Sequence, residues 1–477
     1  MPRSIGVALS GGGHRASAWG LGTLLYLADV GANRDVAAIS SVSGGSITNG
    51  VLAHELDYRT ADAAAVDAAT VPLVRHVADT GLFFWGPSTN RYVLSVVGGL
   101  LAGVVALVTG VVIVCRDGLT WAAGVPLLAA AALLALTAWW AERRSDVVDS
   151  ALAGAHYSTG GRPTRLADVG RSLDHVFCAT ELQSGGHFYF SPGFVYSYEF
   201  GVGEPAGLRL STAVQASACL PGAFSPRRLP SAPHRFDPTT ARDVRGLPRD
   251  PARDLLLTDG GVYDNMADQW PVGLADRVAR LPGLPVQARS VEDVVVVNSS
   301  APSGERMPRS RVLLVGELTT LLRVKSVMYQ VGTERRRHAN VRAWDAAART
   351  GAGQRGALVQ ISQSPFTVAD AFRDSAEWPE RAARARAVLD LLGDTAENRA
   401  AWTARAEASS GVPTVLRALG RATTLDLLEH SYVLAMCNLH VLLGLPLTEL
   451  PGRDRFARLL GDTGVQRRAE RVRPSAA

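Results

Sequence analysis

Lysine is nearly absent from this 477-residue chain: Lys325 is the only one, so the formal net charge of +5 rests almost wholly on arginine. Two readings of that bias stand side by side. One is attraction to anionic lipid headgroups; the other is a GC-rich genome that favours arginine and alanine codons. A basic stripe with interleaved aromatics is missing, as is zinc-finger spacing, and both absences argue against nucleic acid as a partner. Charge of either sign is sparse at 19%, and mean hydropathy is slightly positive, which is unusual for a fully soluble enzyme. Part of the apolar content is therefore expected in lipid rather than in a protein core.

Cysteine is equally scarce. Cys115, Cys178, Cys219 and Cys437 are scattered without a CxxC pair. Neither a disulfide framework nor a zinc site is expected, and a reducing compartment follows. The opening MPRSIGVALSGGG reaches glycines after too short an apolar stretch for a signal peptide. The first glycine-rich loop lacks the GxxxxGK(S/T) of a phosphate-binding loop and the GxGxxG spacing of a dinucleotide site. With no metal-ligating cluster in view, the expectation is chemistry without cofactor or metal, and turnover that survives a chelator. Oligomeric state has no signature in the sequence.

What is present begins with alternating short elements. Ile5–Leu9 reads as a buried strand, Gly11–Gly13 as a turn, and His14 to about Asp29 as a helix with Trp19, Leu24, Leu25 and Leu27 on its apolar face. Val36–Val42 reads as a second strand ending at Ser43–Gly44–Gly45, and Ile47 to about Leu56 as a second helix. Strand–turn–helix repeated twice predicts an α/β fold with parallel neighbours. Val176–Thr180 and Phe188–Phe190 read as strands, 226–253 as a surface loop, and Leu255–Thr258 and Val294–Val297 as buried parallel strands. The tail beyond about 365 is helical in pattern.

Two long uncharged runs interrupt this plan. Tyr92–Cys115 and Gly118–Ala141 each hold 24 residues without a charge, and about 20 apolar residues span a bilayer core as helix. Phe83, Phe84, Trp85 and Tyr92 lie before or at the start of the first run, Trp121 near the start of the second, and Trp139 and Trp140 at its end. That placement matches interfacial aromatic belts. A helical hairpin buried in a large core is the alternative. Arg91, Arg143 and Arg144 flank the pair, against Arg116 beside Asp117 in its loop. The positive-inside tendency then puts both outer ends, and the rest of the chain, in the cytoplasm, as a two-helix protein of the cell membrane.

Three segments carry chemistry. Ser10–Gly11–Gly12–Gly13–His14–Arg15 lies between strand and helix, where converging backbone N–H groups and a helix N-terminus bind phosphate or hold an oxyanion. Ser41–Val42–Ser43–Gly44–Gly45 sets a serine on a sharp strand-to-helix turn, with Ser41 where the G-x-S-x-G pattern has its first glycine. A plain Ser/Gly loop gives the same letters. Thr258–Asp259–Gly260–Gly261–Val262–Tyr263–Asp264–Asn265 ends a strand in a carboxylate followed by glycines. Asp259 is preferred as a base over Asp264, which lies deeper in the loop; a turn-forming Asp is the alternative for either. A Ser–His–Asp triad competes, yet no histidine sits in a comparable motif, and His14 suits helix packing or headgroup contact as well as catalysis.

Together these segments resemble the patatin-like phospholipases, lipid acyl hydrolases related in active-site plan to the cytosolic phospholipases A2. Ala179–Thr180–Glu181–Leu182 with Gly185 and Phe190 matches that family's ATxL…G…F stretch, and Ala216–Phe224 matches its ASxxxPGxF segment. The five segments follow family order over roughly residues 5–300, the apolar hairpin apart. The resemblance implies a three-layer fold with a mostly parallel central sheet, with Ser43 as nucleophile and Asp259 as its partner. It also implies an oxyanion hole from Gly11, Gly12 and Gly13, with Gly44 added, and Arg15 orienting that loop or meeting a lipid phosphate. The division expected is 1–82 and 146–345 as two parts of the catalytic domain, 83–145 as the hairpin, and 346–477 as a helical C-terminal region. The function expected is a membrane-anchored hydrolase of (phospho)lipid carboxylic esters. Acyl transfer by the same acyl-enzyme, or a non-catalytic membrane scaffold of the same fold, are the alternatives.

Overall fold

A computed structural model of the chain describes residues 3–82, 87–170, 172–241, 253–300 and 313–461. The opening runs β1 (Ile5–Leu9), α1 (Gly13–Asp29), β2 (Val36–Ser41), α2 (Gly44–Glu55) and α3 (Ala63–Arg75). The uncharged runs form α4 (Pro87–Asp117) and α5 (Trp121–Ala141), and α6 (Arg144–His156) leads to a small hairpin of β3 (Ser158–Thr159) and β4 (Arg162–Pro163). Then come β5 (Asp174–Glu181), β6 (Gly186–Ser191), β7 (Phe194–Ser197), β8 (Gly201–Gly203), α7 (Leu210–Ser217), β9 (Arg227–Pro230) and β10 (Asp254–Asp259). Three short helices follow, α8 (Gly261–Asp264), α9 (Gln269–Val272) and α10 (Leu274–Arg280), and then β11 (Asp293–Asn298), α11 (Leu313–Thr350) and β12 (Arg355–Gln360). The tail holds α12 (Phe366–Phe372), α13 (Pro379–Leu392), α14 (Ala396–Gly411), α15 (Arg421–Leu443) and α16 (Arg453–Ala457).

The main sheet runs β12–β11–β1–β2–β5–β6–β7–β8, parallel from β12 through β5 and antiparallel beyond. Side chains alternate across it, as the two-residue strand period requires. Ile5, Val7 and Leu9 enter the core under α1, α2 and α15, while Ala8 joins Met266, Trp270, Leu274 and Trp344 on the opposite face. This is a three-layer α/β fold with a mostly parallel central sheet. α15 seals the first layer against α1, with Ser431 Oγ donating to the Trp19 carbonyl at 2.5 Å.

Two expectations change. β10 was expected to be parallel, but it pairs antiparallel with both β5 and β9. An unbroken apolar run records burial on both faces; direction is set by the strand it meets. The loop expected over 226–253 contains β9 and short 3-10 turns at Ala232–His234 and Pro238–Thr240, and 242–252 lie outside the described residues. The tract from 346 onward is helical as expected beyond 365. It also supplies β12, the sheet's outermost parallel strand, and position 345/346 falls inside α11.

α4 and α5 pair along their length and stand away from the domain. Both are long and apolar enough to cross a membrane, and only 11% and 17% of their most apolar windows are buried. Val105, Leu101, Leu128 and Leu136 point outward and exposed, so the hairpin is not the core element offered as the alternative. At its base Tyr92 Oη donates to the Ala141 carbonyl at 2.9 Å, and Trp140 Nε1 to Ser95 Oγ at 2.8 Å. Phe83, Phe84 and Trp85 lie outside the described residues.

Candidate active site

One edge of β5 serves two strands in turn. Its first half pairs with β2, Ser41 lying opposite Phe177, and its last residues pair with β10, Asp259 lying opposite Ala179. β2 runs parallel to β5 and β10 antiparallel, so the two strands approach C-terminus to C-terminus with only Cys178 between their last partners. Whatever follows Ser41 must therefore meet whatever follows Asp259. Val42 and Gly260 do meet: a Cβ placed on Gly260 would lie 3.0 Å from Val42 Cγ2. Ser43 and Asp259 are each one residue from that contact.

Ser43 occupies a turn with φ 53° and ψ −120°, a region that a residue with a side chain enters only under constraint. Its N–H reaches the Ser217 carbonyl at 3.2 Å and Ser217 Oγ at 3.1 Å. The same carbonyl accepts Gly260 N–H at 3.2 Å, so the end of α7 holds the serine turn and the aspartate loop together. Ser217 Oγ in turn donates to the Cys178 carbonyl at 2.7 Å. Ser41, standing where the pattern has glycine, turns its buried hydroxyl inward, where Ser46 Oγ and Asn49 Nδ2 each donate to it at 2.9 Å.

Asp259 is almost completely buried. Its Oδ1 accepts the Gly261 N–H at 2.8 Å, its own N–H donates to the Cys219 carbonyl at 3.0 Å, and Thr180 Oγ1 donates to its carbonyl at 3.0 Å. Asp264 is committed elsewhere. It accepts N–H groups of Met266 and Gln269 and pairs with Arg336, 3.3 Å away on α11. Burial, with the Asp268 carboxylate beside it, raises its pKa.

The glycine loop lies against the serine turn. A Cβ on Gly11 would sit 3.3 Å from Ser43 Cβ, and one on Gly44 would collide with the Gly13 carbonyl at 1.9 Å. α1 and α2 thus begin side by side, with the positive ends of both helix dipoles beside Ser43. The Gly11 N–H is not free for an oxyanion, because it donates to the Asn265 carbonyl at 3.0 Å. Among the described residues, the amides of Gly12, Gly13 and Gly44 donate to no protein acceptor. Arg15 is buried and donates to the Val412 carbonyl at 2.5 Å, and burial lowers its pKa to about 10. That placement anchors the loop and leaves little surface for a lipid phosphate. His14 Nδ1 lies 2.9 Å from the Arg417 carbonyl and its ring packs edge-on against His76; burial first, then His76, lowers its pKa to about 3. It is a neutral packing residue.

A family model, Patatin-like phospholipase, matches residues 7–267, more than half of the chain. The chain belongs to the patatin-like phospholipase family. No curated protein sequence matches it. Among solved structures, human GIVD cytosolic phospholipase A2 is similar at 13% identity and a TM-score of 0.34, over 68% of this chain and 48% of that one. This chain thus spans about half of the human structure's length. VipD from Legionella pneumophila is similar at 13% identity and a TM-score of 0.29, over 99% of this chain and 80% of that one.

Several residues around this patatin-like site escaped the sequence reading. Ser217 lay inside a recognised segment without an assigned role. Asn265 closes the gap between loops: Cβ atoms on Gly11 and Gly261 would each fall 2.5 Å from its Oδ1. Ser299, just past β11, donates through Oγ to the Gly11 carbonyl at 2.8 Å. Residues 412–417 buttress the loop from the far end of the chain, with His14 N–H on the Val415 carbonyl at 2.8 Å. The spacing from Asp259 to Asn265 was the only available signal. No described group of three or more His, Cys, Asp or Glu is placed to hold a metal ion.

Proposed function

We propose that this chain is a membrane-anchored lipid acyl hydrolase that cleaves carboxylic esters of (phospho)lipids, with Ser43 as nucleophile and Asp259 as base. The observation that carries the reading is the end-on meeting of β2 and β10 along β5, held by the shared Ser217 carbonyl. It brings a strained serine turn and a buried carboxylate under the N-termini of two helices. Ser43 Oγ attacks the ester carbonyl as its proton passes to Asp259. The amides of Gly12, Gly13 and Gly44 receive the charge that develops on the carbonyl oxygen. The intermediate collapses, Asp259 returns the proton to the leaving alcohol, and the acyl group stays on Ser43. Water then attacks the acyl-enzyme and gives a proton to Asp259; the bond between the acyl carbon and Ser43 Oγ breaks, Asp259 returns the proton to Oγ, and the carboxylic acid leaves.

The membrane enters through α4 and α5. Their base is tied to the site: Arg144 Nε donates to the Ala223 carbonyl at 3.0 Å, and Ser145 Oγ to the Ser225 carbonyl at 2.6 Å. Ala223 and Ser225 follow closely on Ser217 and Cys219, whose carbonyls receive the N–H groups of Ser43, Gly260 and Asp259. A hairpin spanning the bilayer thereby keeps the cleft at its surface. Arg91, Arg143 and Arg144 at the outer ends favour the cytoplasmic side for the catalytic domain.

The test is hydrolysis of a lipid panel and of a water-soluble short-chain ester by detergent-solubilised full-length protein. Ser43→Ala and Asp259→Asn are expected to lower turnover by about three orders of magnitude or more while remaining folded. Wild-type rates in either variant overturn the pairing. Product analysis with an added alcohol separates hydrolysis from acyl transfer.

A further inference from the structure

α11 is amphipathic in the reverse of the usual sense. Tyr329, Thr333, Arg336 and Asn340 recur at helical spacing on the side that meets the protein. The Tyr329 ring lies against Gly261, a Cβ there falling 3.1 Å from Tyr329 Cε1. Arg336 pairs with Asp264 and Asp268, and Asn340 Nδ2 donates to Asp268 at 2.5 Å. The outer side carries Leu321, Val324, Met328 and Val331, 66%, 49%, 68% and 43% exposed. A surface helix ordinarily turns such a row inward. Here the row runs about 15 Å along the helix with polar contacts behind it.

Two observations identify what covers the row. First, the same face continues into Arg335, His338 and Arg342, all exposed, and α11 as a whole carries seven Arg and Lys against three Asp and Glu. An apolar row that ends in cations fits the boundary between acyl chains and anionic headgroups. Second, α11 packs on α8, whose Val262 and Tyr263 are themselves exposed three and four residues beyond Asp259. α11 therefore lies against the loop that follows Asp259, through Tyr329 and Gly261. We propose that the outer face of α11, from Leu321 to Val331, docks on an anionic bilayer surface beside the Ser43–Asp259 site. The proposal rests on the acyl-hydrolase reading above and adds to it a second membrane contact, separate from the hairpin.

The experiment uses full-length protein in vesicles of phosphatidylcholine with phosphatidylglycerol. An environment-sensitive fluorophore on Met328→Cys, in a Cys115→Ser background, should shift to the blue and be quenched by doxyl-labelled lipid. An emission unchanged from that of the detergent-free aqueous state, with no quenching, overturns the docking. A blue shift without lipid quenching that tracks protein concentration assigns the face to a second copy and also overturns it. This readout needs no turnover, so it stands whether or not the chain hydrolyses esters. In the activity arm, Leu321→Asp with Met328→Asp should lower vesicle-lipid turnover by about tenfold or more. Hydrolysis of the soluble ester should stay within about twofold, which shows the variant folded. Unchanged vesicle turnover overturns docking, whereas a wild-type protein that hydrolyses neither substrate overturns the underlying hydrolase reading instead.

Discussion

Replacing Gly44 by Ala tests the active-site geometry more sharply than removing Ser43 does. The added Cβ would lie 1.9 Å from the Gly13 carbonyl oxygen and 2.6 Å from its carbon, where ordinary contact begins at 3.4 Å. Both atoms belong to the Gly13 backbone in the first turn of α1, so no side chain can rotate away. The two loops must separate by about 1.5 Å to admit the methyl. Gly12 and Gly13 lie on one side of that gap, and Gly44 with Ser43 on the other. A displacement near 1 Å at a reacting centre costs about 10²-fold, and loss of one oxyanion donor about 10²- to 10³-fold. The expected result is a fall in kcat of about 10²- to 10³-fold on a water-soluble ester, with KM changed far less. Circular dichroism and a thermal melt establish that the variant is folded. Turnover within about threefold of wild type in a folded Gly44→Ala protein would refute the idea that these amides act together.

Other consequences follow from buried polar groups. Ser217→Ala removes the donor to the Cys178 carbonyl and the contact with Ser46 Oγ at 2.8 Å, which should lower stability by about 1–3 kcal/mol. The Ser217 carbonyl remains, so turnover should fall by no more than about tenfold; a thermal midpoint equal to wild type contradicts this. His14 and His175 are fully buried, and burial lowers their pKa values to about 3 and about 4. Unfolded histidine titrates near 6.5, so the unfolded chain binds more protons and stability falls as pH drops below about 6.5. At pH 5.5 each should cost about 1.4 kcal/mol relative to neutral pH. Urea denaturation of wild type and His175→Gln at pH 7.5 and 5.5 isolates the contribution from that of Asp174. Burial raises that carboxyl to about 6 and acts in the opposite sense. Identical pH slopes in the two proteins would count against the assignment.

What the sequence made legible and what it hid divide along a physical line. β1 with its glycine turn, β2 with Ser43 and β10 with Asp259 were readable because a short apolar run ending in Gly or Ser is a local pattern. The direction of β10 was not, because nothing in Leu255–Leu257 records which strand it joins. Ser217, Asn265 and Ser299 act through partners more than 170 positions away in some cases, as Ser43 and Ser217 do. A single polar residue in a loop carries no period to find. The buttress at 412–417 was hidden for the same reason, in a tail without a motif. α11 was unread because its apolar row faces outward and its inward row mixes Tyr, Thr, Arg and Asn.

The meeting of β2 and β10 along β5 also explains where this chain has room to grow. The Ser43–Asp259 geometry depends on a handful of residues around Phe177 and Ala179, and on the Ser43–Ser46 start of the crossover that carries the chain from β2 to β5. Loop-closure entropy rises only slowly with length, so that crossover tolerates cargo. Here it carries the α4–α5 hairpin, whose root lands on residues 223–225. A chain of this build takes an insertion between β2 and β5 while both strands keep their register on β5.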